Sequence, residues 1–122
     1  MTENEALAWA EEWINNWNRR DVEAVLAHFA DDVEFTSPRA VPITGEASLT
    51  GKPALRDYWT RATAAIQSIH FDLDYVIADG NRLGIIYTSK INGMRMRSAE
   101  FLRFNDAGLV CGGEAMHGAM LS

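Results

Sequence analysis

Between residues 3 and 18, Ala6, Trp9, Ala10, Trp13, Ile14 and Trp17 recur at i, i+3, i+4 spacing, while Glu5, Glu11, Glu12, Asn15 and Asn16 fall on the other faces. The spacing predicts an amphipathic helix with one apolar stripe. Tryptophans at 9, 13 and 17 make that stripe aromatic, and it drifts slowly around an axis of ~3.6 residues per turn. Asn18-Arg19-Arg20-Asp21 interrupts it, with Asp21 as a good N-cap for a second, short helix that buries Val22, Val25, Leu26 and Phe29. The period then changes. Val33, Phe35 and Ser37 alternate with Glu34 and Thr36, which predicts a strand ending at Pro38. Pro42 and Gly45 punctuate a loop from 38 to 50, and a third helix is expected to start near Lys52 or Pro53. Its buried stripe is Leu55, Tyr58, Trp59, Ala62, Ile66 and Ile69.

The rest reads as an antiparallel meander. Residues 70–78 pair with 82–91 across Asp79-Gly80-Asn81, Asn92-Gly93 is a two-residue hairpin signal into 94–104, and Asn105-Asp106-Ala107-Gly108 turns the chain into 109–118. Helices followed by a meander predict an α+β fold. The Asn92-Gly93 turn sets Ile91 opposite Met94, Tyr87 opposite Ser98 and Ile85 opposite Glu100. If Phe104 pairs with Leu109, Glu100 faces Gly113 and Ser98 faces Ala115. One sheet face then carries Ile85, Tyr87, Ser98, Glu100, Ala115 and His117; the other carries Ile86, Arg97, Phe101, Arg103, Val110 and Met116. Patterning alone does not decide which face is inside, since both hold apolar residues and charges. The side taken by Asp72 and Asp74 depends on the turn at 79–81 and is left open.

Composition narrows the possibilities. The 122 residues are expected to form one domain, 1–122, with an ordinary 48% apolar and 23% charged content. A formal charge of −6 argues against nucleic acid and against charge-driven membrane binding. Cys111 is the only cysteine, so neither an internal disulfide nor zinc-type spacing is expected, and no metal or cofactor is called for. No apolar run approaches a membrane span, and the acidic start is unlike a signal peptide, so a cytoplasmic protein is expected.

The Phe29-Ala30-Asp31-Asp32 junction, the short strand before Pro38 and the Gly51-Lys52-Pro53 helix start together resemble the NTF2-like superfamily, which includes ketosteroid isomerases and SnoaL-type cyclases. Phe101-Leu102-Arg103-Phe104-Asn105-Asp106-Ala107-Gly108 is similar to the isomerases' end of strand and turn. The resemblance implies an NTF2-like (cystatin-like) cone, three N-terminal helices packed on a curved antiparallel sheet, with the Glu100 face turned inward. It implies a pocket, and it places the isomerase base at Ser37, the oxyanion tyrosine at Trp13, its supporting tyrosine at Trp59, the hydrogen-bonding acid at Glu100 and a pocket tryptophan at His117. Only one of the three proton-transfer positions keeps an acid, so steroid isomerisation itself is not expected. The family's habit of pairing through the outer sheet face implies a homodimer.

A carboxyl in an aromatic pocket should have a raised pKa, which makes Glu100 the candidate acid–base group and His117 its candidate assistant. A one-residue slip in register would turn Glu100 out to solvent. Trp13, Trp17, Ser37, Trp59, Ile85, Tyr87, Ser98 and Ala115 are the candidate ligand contacts. Arg97 and Arg103 fall on the other face, which removes the acid–arginine pattern of the superfamily's epoxide hydrolases. Three readings follow: a cofactor-free isomerase, cyclase or lyase acting on a small apolar or aromatic molecule; a non-catalytic carrier of such a molecule; or a protein-interaction domain using the outer face.

Overall fold

The structure is a computed structural model that describes residues 1–121. Helix α1 (Glu3–Asn18) opens on a reciprocal capping box: Thr2 Oγ1 accepts from the Glu5 amide at 3.1 Å, and Glu5 Oε1 accepts from the Thr2 amide at 2.8 Å. Its buried residues are Ala6, Ala10, Trp13, Ile14, Asn16 and Trp17. The apolar ones follow the predicted stripe except Trp9, which is half-buried, and Asn16, expected on another face, is buried with its side-chain oxygen accepting from Arg19. Arg20, with a φ of 55°, turns the chain out of the helix, and Asp21 caps α2 (Val22–Leu26) through the Ala24 amide at 3.0 Å. That helix is shorter than expected. Phe29 and Ala30 already belong to β1 (Phe29–Thr36), because Val110 N–H donates to His28 O and draws the segment into the sheet.

The expected loop at 38–50 is largely ordered structure. A single 3₁₀ turn (Pro38–Ala40) runs into the one-turn helix α3 (Val41–Thr44), and β2 (Ser48–Thr50) pairs back onto β1. Helix α4 (Lys52–Ala64) starts where Gly51, at a φ of 92°, and Pro53 permit it. It buries Leu55, Tyr58 and Trp59 and stops at Ala64, so Ile66 lies beyond it and Ile69 opens the next strand.

Strands β3 (Ile69–Asp79), β4 (Arg82–Ile91), β5 (Met94–Phe104) and β6 (Val110–Leu121) form the meander, in a six-stranded sheet of order β2-β1-β6-β5-β4-β3. The sheet is not purely antiparallel: β1 runs parallel to β6. Bulges between Leu73 and Tyr75 and around Ser98 and Phe104 bend it around the helices. The α1 C-terminus is tied to β3 by Asn18, whose side-chain amide donates to Phe71 O at 3.0 Å and accepts from Phe71 N at 2.7 Å.

The β4–β5 register is the one the Asn92-Gly93 turn implies, with Tyr87 opposite Ser98 and Ile85 opposite Glu100. The β5–β6 register differs by two residues: Glu100 faces Ala115 and Ser98 faces His117. An irregularity where Phe104 meets Val110 absorbs the difference. A shift of two preserves the side-chain parity between the strands, so Glu100 stays on the inner face. Val110 does not keep its expected place. Its side of the bulge turns it inward, and it is fully buried rather than exposed on the outer face. Asp74 faces outward, bonded to Thr88 at 2.9 Å and paired with Arg97 at 3.4 Å, while exposed Asp72 pairs with His70.

Candidate functional site

Between α1, α4 and the inner sheet face lies a cavity of about 310 Å³. Helix periodicity supplies its walls: Trp13 and Trp17 from α1, Trp59 from α4, with Phe35 from β1 and Phe71 from β3. The rings lock edge to face, with centroid separations of 5.1 Å for Trp17–Trp59, 5.2 Å for Trp13–Tyr87 and 5.6 Å for Phe35–Trp59. Such pairs add stability beyond their buried area and hold one another's orientation, so the walls are stiff. Trp17 Nε1 is sealed from solvent without a hydrogen-bond acceptor among the described residues.

One part of this apolar enclosure is polar. Glu100 is 7% exposed, and Tyr87 Oη donates to its Oε1 at 3.2 Å. The second carboxyl oxygen has no partner among the described residues and is not sealed by protein, so it is left to the cavity that Glu100 lines. Burial pushes the carboxyl up to about 8; the Tyr87 hydrogen bond and the charge of Arg39 act in the other direction without overcoming it. At neutral pH Glu100 is therefore a neutral acid. Tyr87 is itself held well above the usual phenol range, by burial first and then by Glu100.

Two more pairs complete the polar region. Ser37 Oγ and Tyr58 Oη are 3.3 Å apart, and burial raises the Tyr58 phenol. Ser98 Oγ lies 2.9 Å from His117 Nδ1, directly across the β5–β6 pair. Burial, aided by the Arg39 charge, lowers His117 to about 4. The imidazole is neutral at pH 7, and the charge acting on both Glu100 and His117 is that of Arg39. Among the described residues no His/Cys/Asp/Glu group could hold a metal ion.

Of the residues singled out from sequence, Trp13, Trp17, Ser37, Trp59, Tyr87, Glu100, Ala115 and His117 line the cavity. Ile85 and Ser98 do not: Ile85 is fully buried in the core, and Ser98 stands behind His117. Tyr58 and Arg39 are wall residues that sequence reasoning missed. Tyr58 looked like ordinary stripe packing beside Trp59, and Arg39 follows Pro38 in a segment without periodicity. The Ser-Pro break itself was the available signal, because a strand that ends at a pocket wall delivers the next side chains to its edge.

No curated protein matches the sequence significantly. Solved structures do. A SnoaL-like protein of unknown function from Burkholderia thailandensis is 29% identical, with 98% of this chain and 99% of that one aligned at a TM-score of 0.87. A putative ketosteroid isomerase from Kribbella flavida aligns over 98% of this chain and 82% of its own at 20% identity and a TM-score of 0.75. TerC, co-crystallised with polyporic acid, gives 16% identity and a TM-score of 0.75 over 95% and 91% of the two chains. Likenesses of 20% and 16% identity speak for the fold alone. NTF2-like and cystatin-like folds are among the other neighbours. The SnoaL-like domain family matches over residues 10–112, from within α1, with Trp13 and Trp17, through the Glu100 strand, and the chain belongs to the SnoaL-like domain family.

Proposed function

We propose that the protein binds a small apolar or aromatic molecule in the conical cavity and acts on it by cofactor-free acid–base chemistry of the isomerase, cyclase or lyase kind. The observation that carries this reading is the Glu100 carboxyl, held in an aromatic enclosure by Tyr87 with one oxygen left to the cavity. A carboxylic acid that is neutral at pH 7 can donate a hydrogen bond to a carbonyl as negative charge develops there. A value of about 8 also lets it exchange a proton near neutrality. Steroid isomerisation is not proposed, because the base position of that family is Ser37, whose hydroxyl is paired with Tyr58. His117, neutral and linked to Ser98, serves as a polar contact or proton acceptor rather than a cation. That a neighbour of the same fold was crystallised with polyporic acid agrees in kind with a binding role.

A thermal-shift screen against steroids, polyketides and aromatic acids is expected to return stabilising compounds. With a substrate in hand, Glu100→Gln should bind it within about threefold of wild type while turnover falls by ~10²-fold or more. Retained turnover moves the proton transfer to His117 or leaves the protein a carrier. No stabilisation by any such compound removes the small-molecule reading.

The proposed assembly is a two-fold homodimer through the outer sheet face. Phe101, Ile77, Tyr75 and Met116 are exposed there. They are the support for it.

A further inference from the structure

Arg39 stands at the polar end of the cavity with its charge unspent. Pro38 opens the 3₁₀ turn, fully buried Ala40 anchors it, and Thr44 Oγ1 donates to Ala40 O at 3.0 Å. The turn is thus fixed, and the half-buried Arg39 side chain lines the cavity. Among the described residues its guanidinium has one hydrogen-bond partner, Met96 Sδ at 3.3 Å, and it belongs to none of the ion pairs. A thioether is a weak acceptor, whereas a guanidinium offers five donors in a fork that suits two oxygens of an anion. A cation drawn partly out of water without an anion is unfavourable unless a ligand or water supplies the oxygens.

The neighbours do not supply a negative charge. Glu100 is neutral near pH 7, and the hydroxyls of Tyr58 and Tyr87 keep their protons. His117 is neutral as well. Arg39 is close enough for its charge to act on all four groups. The polar end therefore carries a net positive charge and an acid O–H donor, beside walls that suit a flat ring.

On the reading of the cavity as a small-molecule site, we propose that its ligand is a flat aromatic molecule bearing an anionic oxygen, either a carboxylate or the conjugate base of an enol, and that Arg39 is the residue that recognises that anion. The cavity volume, about 310 Å³, lies at the small end of ligand pockets, so the body is a few rings at most. Glu100 then meets the same end of the ligand as a donor, not as a second charge.

The test is calorimetric binding of matched probes at pH 7: naphthalene carboxylate against naphthalene carboxamide, and ionised hydroxycoumarin against neutral coumarin. Wild type is expected to prefer at least one anion over its neutral partner by about tenfold or more, as a charge-assisted hydrogen bond implies. The pair that shows the preference separates carboxylate from enolate. Arg39→Met should abolish that preference while leaving neutral-probe affinity within about threefold, and Arg39→Lys should keep part of it, having charge without the fork. Equal binding of anion and neutral probe to wild type, or an undiminished preference in Arg39→Met, overturns the assignment and leaves the aromatic cavity standing. Failure of all four probes to bind overturns both. If Arg39→Met does not fold, the wild-type comparison and Arg39→Lys decide.

Discussion

Glu100 couples the chemistry of the cavity to the stability of the fold. Its folded value, about 8, lies above its ordinary value of 4.5. Below pH 4.5 the carboxyl is protonated in folded and unfolded chains alike and has no effect. As pH rises from there towards 8, the unfolded chain releases its proton and the folded chain keeps it, so stability falls with pH and levels off above 8. His117 acts in an overlapping window with the opposite sign. Its folded value, about 4, lies below 6.5, so its cost appears as pH drops through that interval. Arg39, Tyr58, Tyr87 and His117 are the charged or titratable groups around Glu100, and neither tyrosine ionises within this range. Glu100→Gln preserves the shape of the neutral acid and still accepts from Tyr87. It should match wild type near pH ~4 and exceed its stability by on the order of 2 kcal/mol or more near pH ~9. Parallel denaturation profiles for the two proteins across that range would mean that the carboxyl is solvated and the proposed acid is wrong.

At the scale of elements, the parallel β1–β6 pair closes the cavity and depends on Gly113. It sits opposite Phe35, and a Cβ there would come within 2.8 Å of Phe35 Cδ1 and 2.9 Å of Leu102 Cδ2. Since Phe35 is a cavity wall, Gly113→Ala should both destabilise the fold, by ~1–3 kcal/mol, and weaken binding of any ligand that stacks there. Unchanged urea midpoint and ligand affinity in this variant would contradict that packing. The same pair shows where sequence reading reaches its limit. Elements with a long period or a strong turn signal were legible: α1, α4 and the β4–β5 hairpin, whose Asn92 at a φ of 52° and Gly93 at 82° fix the register. Bulges were not, because the small and mixed residues Cys111-Gly112-Gly113-Glu114-Ala115 give no clean alternation in which a change of phase would show; hence the two-residue offset of β6 and the inward turn of Val110. Strand β2 has three residues, too few to show a period, and the parallel partner of β1 lies some eighty positions away. For the site, the parity of Glu100 survived the offset, whereas Arg39 had only the indirect signal of the Ser37-Pro38 break before it, since residue type alone does not distinguish a pocket arginine from a surface one.

At the scale of the whole molecule, the outer sheet face is the surface that a monomer leaves unexplained. Phe101 is 44% exposed, Ile77 55% and Met116 48%, and the Phe101 ring lies over Gly84, 3.3 Å from where a Cβ would stand. The absence of a side chain at Gly84 gives the Phe101 ring room to approach the strand there. Around it are Arg82 and Arg103 on one hand and Glu34, Asp79 and Glu114 on the other. Both signs on one patch are compatible with the proposed two-fold dimer, in which each cation would meet the partner's anion and the apolar centres would face each other. An apolar centre with a charged rim is also the anatomy of a stable interface. Sedimentation at micromolar concentration should accordingly give twice the 13.6 kDa chain mass. In the proposed dimer Phe101→Arg would bring like charges together at the interface, and it should yield a folded monomer that still binds cavity ligands, since Phe101 is on the opposite face of β5 from Glu100. A wild-type monomer at that concentration, or a Phe101→Arg dimer, rules out this face as the interface.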